Sequence, residues 1–299
     1  MNIEKNKLYW IYKKLFTIRF FEERIKIIAK EKSVPGYLHT CIGSEAICVG
    51  VMSALSDDDW ISSTYRNHGH SIAKNCELKE ITSEIYGRSC YRSFGTTLNP
   101  NVTKVRKTNS DYIENTLQKG DGSIFEHVTA NFFFADVSRV FTHELVRHRV
   151  GSAMSQESLR YARLTDINWY APTVIKEDDE AMKIYMTKME ELSKLQNELA
   201  DMFELDQEDK SFTIKKEATS AFRRLAPMGL ATNIGWSANM RTIRHVIEMR
   251  THPGAEEEIR LVFAKVAEIA ISRWGNIFTD YKKEIVDGLP WYTTSNRKV

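Results

Sequence analysis

Apolar positions recur at helical spacing along most of the chain and alternate or cluster in only a few places. Leu8, Ile11, Leu15, Ile18 and Ile25 share one face of a basic, glutamate-containing segment, which predicts an amphipathic first helix ending before Pro35-Gly36. A second helix is expected from about Ser44 to Leu55, stopped by the acidic turn Ser56-Asp57-Asp58-Asp59. Trp60 to His70 reads as strand-like at first and then as loop. Leu78, Ile81, Ile85 and Arg88 put a helix over residues 77–91, and another is expected over Ser110 to Lys119. Val128 to Val137, with Phe132, Phe133 and Phe134, reads as a strand packed in a core, followed by a short helix over Ser138 to Val146. Between Ala181 and Phe203 a stripe of Met182, Tyr185, Met189, Leu192, Leu199 and Phe203 predicts a scaffold or oligomer-contact helix. After the break at His252-Pro253-Gly254, acidic Glu256, Glu257 and Glu258 favour a helix start, and Ile259, Phe263, Val266, Ala270 and Trp274 give that helix a packed face.

Composition narrows the classes of function. At 299 residues and 42% hydrophobic, the chain can bury one large core or two smaller ones. Its 42 basic residues nearly balance 40 acidic ones, so no general field draws nucleic acid or a membrane surface, and anion recognition must be local. No stretch approaches about eighteen uninterrupted apolar residues and the start lacks the apolar core of a signal peptide, so a soluble cytoplasmic protein is expected. Cys41, Cys48, Cys76 and Cys90 form no Cys-x-x-Cys pair, which suits free thiols in a reducing compartment and no metal centre. The adjacent Glu126-His127 has no partner cluster and is read as structural.

Local anion chemistry is concentrated in Arg147 to Tyr161, where three arginines, a histidine, three serines and a tyrosine fall within fifteen residues. In an extended or irregular segment Arg147 and Arg149 point to one side, and Ser158 and Arg160 do the same further on. A solvated basic turn or an ion-pair network at a subunit contact is the plain alternative. A second donor-rich set follows at Arg223, Asn239, Arg241, His245 and Arg250. On a helix Asn239 and Arg250 would share a stripe about 16 Å apart, and Arg241 and His245 another, so one helix could address two ligand groups.

Arg147-His148-Arg149, a spacer and then Ser158-Leu159-Arg160-Tyr161 resembles the signature of the flavin-dependent thymidylate synthases. The spacer Val150 to Glu157 has eight residues where the family pattern has seven, and Gln156 stands where a glutamate is common. The second set matches as well: Arg223 lies sixteen residues before Asn239-x-Arg241, with a histidine six and an arginine eleven after the asparagine. Gly120-Asp121-Gly122-Ser123 with Phe125-Glu126-His127 is similar to a family turn in which a histidine occupies the place of Asp121. The resemblance implies an α+β fold over residues 77–299, helices packed on a small antiparallel sheet, assembled as a homotetramer. It implies methylation of dUMP with methylenetetrahydrofolate as carbon donor and NADPH as reductant, through FAD and without a cysteine nucleophile. FAD would contact Ser123, Arg147, His148, Arg149, Gln156, Asn239, Arg241 and His245. The nucleotide would contact Glu144, Arg147, Ser158, Arg160, Arg223 and Arg250, with Arg250 the catalytic residue.

The preceding residues resemble a different family, the amino-terminal part of the alpha subunit of thiamine-diphosphate-dependent 2-oxo acid dehydrogenases. The matching stretches are Ile18 to Arg24, Pro35 to His39 with Gly43 to Ala46, and Ser63 to His70. In that family the residue matching His39 lies at the substrate and the pair matching Tyr65-Arg66 touches the cofactor diphosphate. A thiamine enzyme also needs Gly-Asp-Gly followed some thirty residues later by an asparagine. After Gly122 the next asparagines are Asn131 and Asn168, nine and forty-six residues on. Residues 1–76 are therefore expected as a mostly helical appendage. Two rival readings remain, a fragmentary thiamine-dependent dehydrogenase alpha subunit and a nucleotide-binding protein without catalysis.

Overall fold

The helical face predicted at the start of the chain forms as α1 (Lys5–Lys30), but only its centre meets a core: Ile18 and Ile25 are buried, whereas Leu8 is 49% exposed. The computed structural model describes residues 3–30, 40–56, 68–74, 78–97, 99–160 and 168–299. Contacts divide the chain into two units, one of Met1–Val128, Ile269–Asp280 and Lys298–Val299, the other of Thr129–Glu268 and Tyr281–Arg297.

In the first unit α1 packs with α2 (Glu45–Ser53) and α3 (His68–Ala73) around Ile18, Cys41, Cys48, Val49, Met52, Ile72 and Ala73. The expected loop at His68 to His70 is instead the first turn of α3. Burial of Ile72 and Ala73 against α1 and α2, with Cys48 Sγ 3.8 Å from His70 Nδ1, outweighs the weak local preference of His-Gly-His. Pro35 to His39 and the Tyr65-Arg66 pair lie outside the described residues. The helices α4 (Leu78–Tyr91) and α5 (Asn109–Lys119) follow. They approach so closely at Gly87 that a Cβ there would stand 2.2 Å from the Tyr112 hydroxyl. The Thr108 side chain accepts the Asp111 amide at the start of α5, and Gly120 closes the helix with φ of 75°. The turn after it is a short 3-10 helix, Gly122–His127.

The second unit runs β1 (Thr129–Ser138), α6 (Arg139–Leu145), β2 (Ser152–Gln156), α7 (Thr173–Lys176), α8 (Asp179–Met202), α9 (Phe212–Phe222), β3 (Ala231–Asn239), α10 (Met240–Thr251) and, as far as Glu268, α11 (Glu257–Arg273). A hairpin of β4 (Tyr281–Val286) and β5 (Leu289–Thr294) ends it. The three-stranded sheet is antiparallel in the order β1-β3-β2, with Thr129 opposite Asn239 and Ser152 opposite Ala238. Thr232, Ile234, Trp236 and Ala238 alternate inward along the central strand β3. Phe134, Phe141, Trp236 and Phe263 interlock over that face, with ring centroids 5.2 to 6.3 Å apart. Ile259, Phe263 and Val266 of α11 are buried as the sequence predicts, whereas Phe203, at the far end of the α8 stripe, is 51% exposed. The architecture is α+β. Among the described residues no helix is long and apolar enough to cross a membrane.

Candidate active site

The signature stretch is held by three independent anchors. Ser138 caps α6 by accepting the Phe141 amide. Its own amide and hydroxyl both donate to the carboxylate of Glu258, which is 3% exposed. Burial raises the Glu258 pKa, and the two donors from Ser138 act against that rise. The helix ends at Leu145, and the chain turns through Arg147-His148-Arg149 to Gly151, whose φ of 67° is in the left-handed region. There the Gly151 carbonyl accepts the Asn239 amide at 2.9 Å, and the Thr242 hydroxyl donates to the Val150 carbonyl at 2.8 Å. Asn239 caps α10 by accepting the Thr242 amide. A Cβ on residue 151 would lie 2.4 Å from Thr242 Oγ1 and 2.5 Å from Asn239 Nδ2, so glycine is what lets the turn seat on the helix start. Pairing of β2 with β3 then brings the two sequence-distant donor sets together.

At the centre Arg250 is clamped. Its Nε donates to His148 Nε2 at 2.7 Å, Nη1 donates to Glu144 Oε2 at 2.5 Å, and Nη2 donates to the Glu144 carbonyl at 3.0 Å. A guanidinium has five N–H groups, so one on each terminal nitrogen remains to offer a ligand. Glu144 keeps Oε1, which has no partner among the described residues. Because Arg250 donates to Nε2 of His148, the proton of a neutral His148 sits on Nδ1. Burial, then the Arg250 charge and then His245 push the His148 pKa down to about 4, so the ring is neutral at pH 7. The His148 and His245 rings meet edge to face, 6.3 Å between centroids.

Elsewhere in the unit Arg147, Arg149 and Arg223 are exposed and have no carboxylate partner among the described residues. Gln156 Nε2 donates to Thr142 Oγ1 at 3.1 Å. Ser158 Oγ accepts the Arg160 amide at 3.3 Å, and Tyr161 is outside the described residues. Arg241 lies two residues into α10 and is half-buried. Ser123 sits exposed in the 3-10 turn of the first unit. Sequence reasoning gave no role to Thr142 and Thr242, which together with Gly151 fix the orientation of the residues it did name. Gly151, one residue after the Arg-His-Arg turn, carried a legible signal for a left-handed position.

The second unit thus defines an α+β protein in which Glu144 and His148 hold Arg250 in a preorganised cluster. The family model "Thymidylate synthase complementing protein" matches residues 72–274, and the model "Dehydrogenase E1 component" matches residues 13–122. A flavin-dependent thymidylate synthase of Corynebacterium glutamicum is 33% identical over 215 residues, covering 71% of this chain and 84% of the relative. One from Corynebacterium efficiens is 31% identical over 218 residues, covering 72% and 85%. The chain belongs to the flavin-dependent thymidylate synthases. Its amino-terminal part is also 39% identical, over 89 residues, to the alpha subunit of an acetoin:2,6-dichlorophenolindophenol oxidoreductase of Bacillus subtilis, of which it spans 27%. A crystal structure of Helicobacter pylori thymidylate synthase X with FAD and dUMP superposes with a TM-score of 0.48 and 19% identity, covering 67% of this chain and 93% of that one.

Proposed function

We propose that the chain converts dUMP to dTMP with FAD, taking the carbon from methylenetetrahydrofolate and reducing equivalents from NADPH, as a homotetramer in the cytoplasm. The observation that carries this reading is the clamp on Arg250 by Glu144 and His148, in a unit whose exposed Arg147, Arg149 and Arg223 have no carboxylate partner among the described residues. Such exposed arginines fit FAD in the chemistry of their donors, since its diphosphate needs cations that no carboxylate already satisfies. Arg147, His148, Arg149, Gln156, Asn239, Arg241 and His245 of the second unit would hold it, and when bound it supplies the hydride that no side chain can. Residues 77–299 carry this function, and residues 1–76 are an appendage to it.

Arg147, Ser158, Arg160 and Arg223 would grip the nucleotide phosphate. The spare N–H groups of Arg250 would face the uracil ring and stabilise its negative charge as the imide proton leaves, which makes the ring carbon more nucleophilic. Glu144 has two parts: Oε2 fixes Arg250, and Oε1 is available to the imide N–H. A neutral His148 presents no second cation to Arg250 and so lets the clamp close. Purified full-length protein should show a flavin spectrum that NADPH bleaches and should methylate dUMP. A colourless protein that takes up no FAD would sink the reading. The thiamine-dependent alternative predicts instead thiamine diphosphate binding without flavin.

A further inference from the structure

A cavity of about 440 Å³ lies within the first unit, bordered by segments 91–97 and 99–106 and by α5. Its walls are built rather than incidental. Arg88, 8% exposed, spans the base of the loop by donating to the Ser93 carbonyl at 3.0 Å and the Arg106 carbonyl at 2.8 Å. Its Nε bonds Glu84 at 2.6 Å, and its guanidinium lies 4.7 Å over the Tyr112 ring. Across the mouth, Asn99 Nδ2 donates to the Tyr91 carbonyl at 2.8 Å and the Tyr91 hydroxyl donates to Asp121 at 3.1 Å. Tyr112, Thr116 and Ile124 of its lining are buried.

The charge around this cavity is uncompensated. Lys104, Arg106 and Lys119 line it against a single carboxylate, Asp121. Lys104 and Lys119 have no carboxylate partner among the described residues, and Arg106 bonds only the neutral Asn115 amide, at 2.5 Å. Cations gathered at a concave surface reinforce one another's field, and an anion is the natural counter-charge.

We propose that this cavity binds a phosphorylated small molecule, its phosphate oxygens held by Arg106, Lys104 and Lys119. The inference does not depend on the synthase reading, since none of these residues belongs to the site proposed for FAD or dUMP. The shared chemistry is a phosphate ester or diphosphate, whether from a dinucleotide or from a simple phosphate.

Isothermal titration of the full-length protein with inorganic pyrophosphate, NAD⁺ and NADP⁺ tests this, using wild type, Arg106→Gln and the double variant Lys104→Gln/Lys119→Gln. Wild type should show a pyrophosphate-binding component that each variant weakens about tenfold or more, the loss expected for one charge-assisted contact. NADP⁺ binding more tightly than NAD⁺, with the advantage lost in the variants, assigns a dinucleotide phosphate. Pyrophosphate alone behaving this way assigns a simple phosphate. The lysines are exposed, so the double variant remains informative even if Arg106→Gln disturbs the loop. Absence of pyrophosphate binding to wild type, or isotherms unchanged in the variants, would overturn the proposal.

Discussion

Replacing Arg250 by glutamine should move the His148 pKa upward, and the size of that movement tests the electrostatic account of the clamp. In the wild type the ring is driven from 6.5 down to about 4, first by burial, then by Arg250 and then by His245. Two unit charges about 4 Å apart repel by ~1 kcal/mol in water and by ~4 kcal/mol at an effective dielectric of about 20. With His148 half-exposed, removal of the cation should raise its pKa by at least about one pH unit, while burial retains part of the depression. Linkage fixes the sign for stability. The unfolded ring takes its proton near 6.5 and the folded ring only near 4. The stability contributed by neutral His148 is therefore complete above about pH 6.5 and is lost as the pH falls through 4. The displacement is worth about 3 kcal/mol at most, and screening at a half-exposed ring reduces it to about 1–2 kcal/mol. Imidazole NMR titration, with His148 assigned from a His148→Gln sample, gives the pKa; urea unfolding between pH 7.5 and 4 gives the stability. A wild-type His148 that titrates near 6.5, or one unmoved by Arg250→Gln, would refute the reasoning.

Three further perturbations separate scaffold from ligand contact. Gly151→Ala places a Cβ 2.4 Å from Thr242 Oγ1 at a φ of 67°, and left-handed strain plus overpacking should cost about 2–4 kcal/mol, read as a lower Tm by calorimetry; an unchanged Tm would mean the turn is not seated on α10. Ser138→Ala removes a donor from buried Glu258 and the cap of α6, for a loss of about 2–3 kcal/mol in denaturant unfolding. Arg223→Gln should weaken dUMP binding about tenfold while the flavin spectrum and FAD affinity stay as in wild type. Equal loss of FAD would place Arg223 at the flavin instead.

Helices were legible because burial on one face repeats every three to four residues. The helices over 109–119 and 257–273 form within a residue or two of the expected bounds, with the Gly120 stop and the acidic start in place. The strand β3 escaped notice although Thr232, Ile234, Trp236 and Ala238 alternate, because the inward residues include a threonine and an alanine that do not advertise a core. The terminal hairpin had a plainer sign: Asp287-Gly288, at φ of 53° and 74°, is the dipeptide that two-residue hairpin turns favour. At His68 the failure was of another kind. No local pattern there favours a helix, and the one that forms depends on Ile72 and Ala73 finding the small core shared with α1 and α2.

For the site, the sequence named the donors but not their division of labour. Spacing along α10 placed Asn239 and Arg250 on one stripe, yet the structure engages the two in different tasks: Asn239 Oδ1 caps the helix at its start while Arg250 meets Glu144 and His148 near its end. That pairing joins residues 102 and 106 positions apart, and it exists because β2 lies against β3 with Ser152 opposite Ala238. Periodicity within a segment cannot report such a contact; only the sheet register can. The register itself depends on Gly151, since any larger residue would push the Arg-His-Arg turn off the start of α10 and separate His148 from the arginine that, after burial, helps hold it neutral.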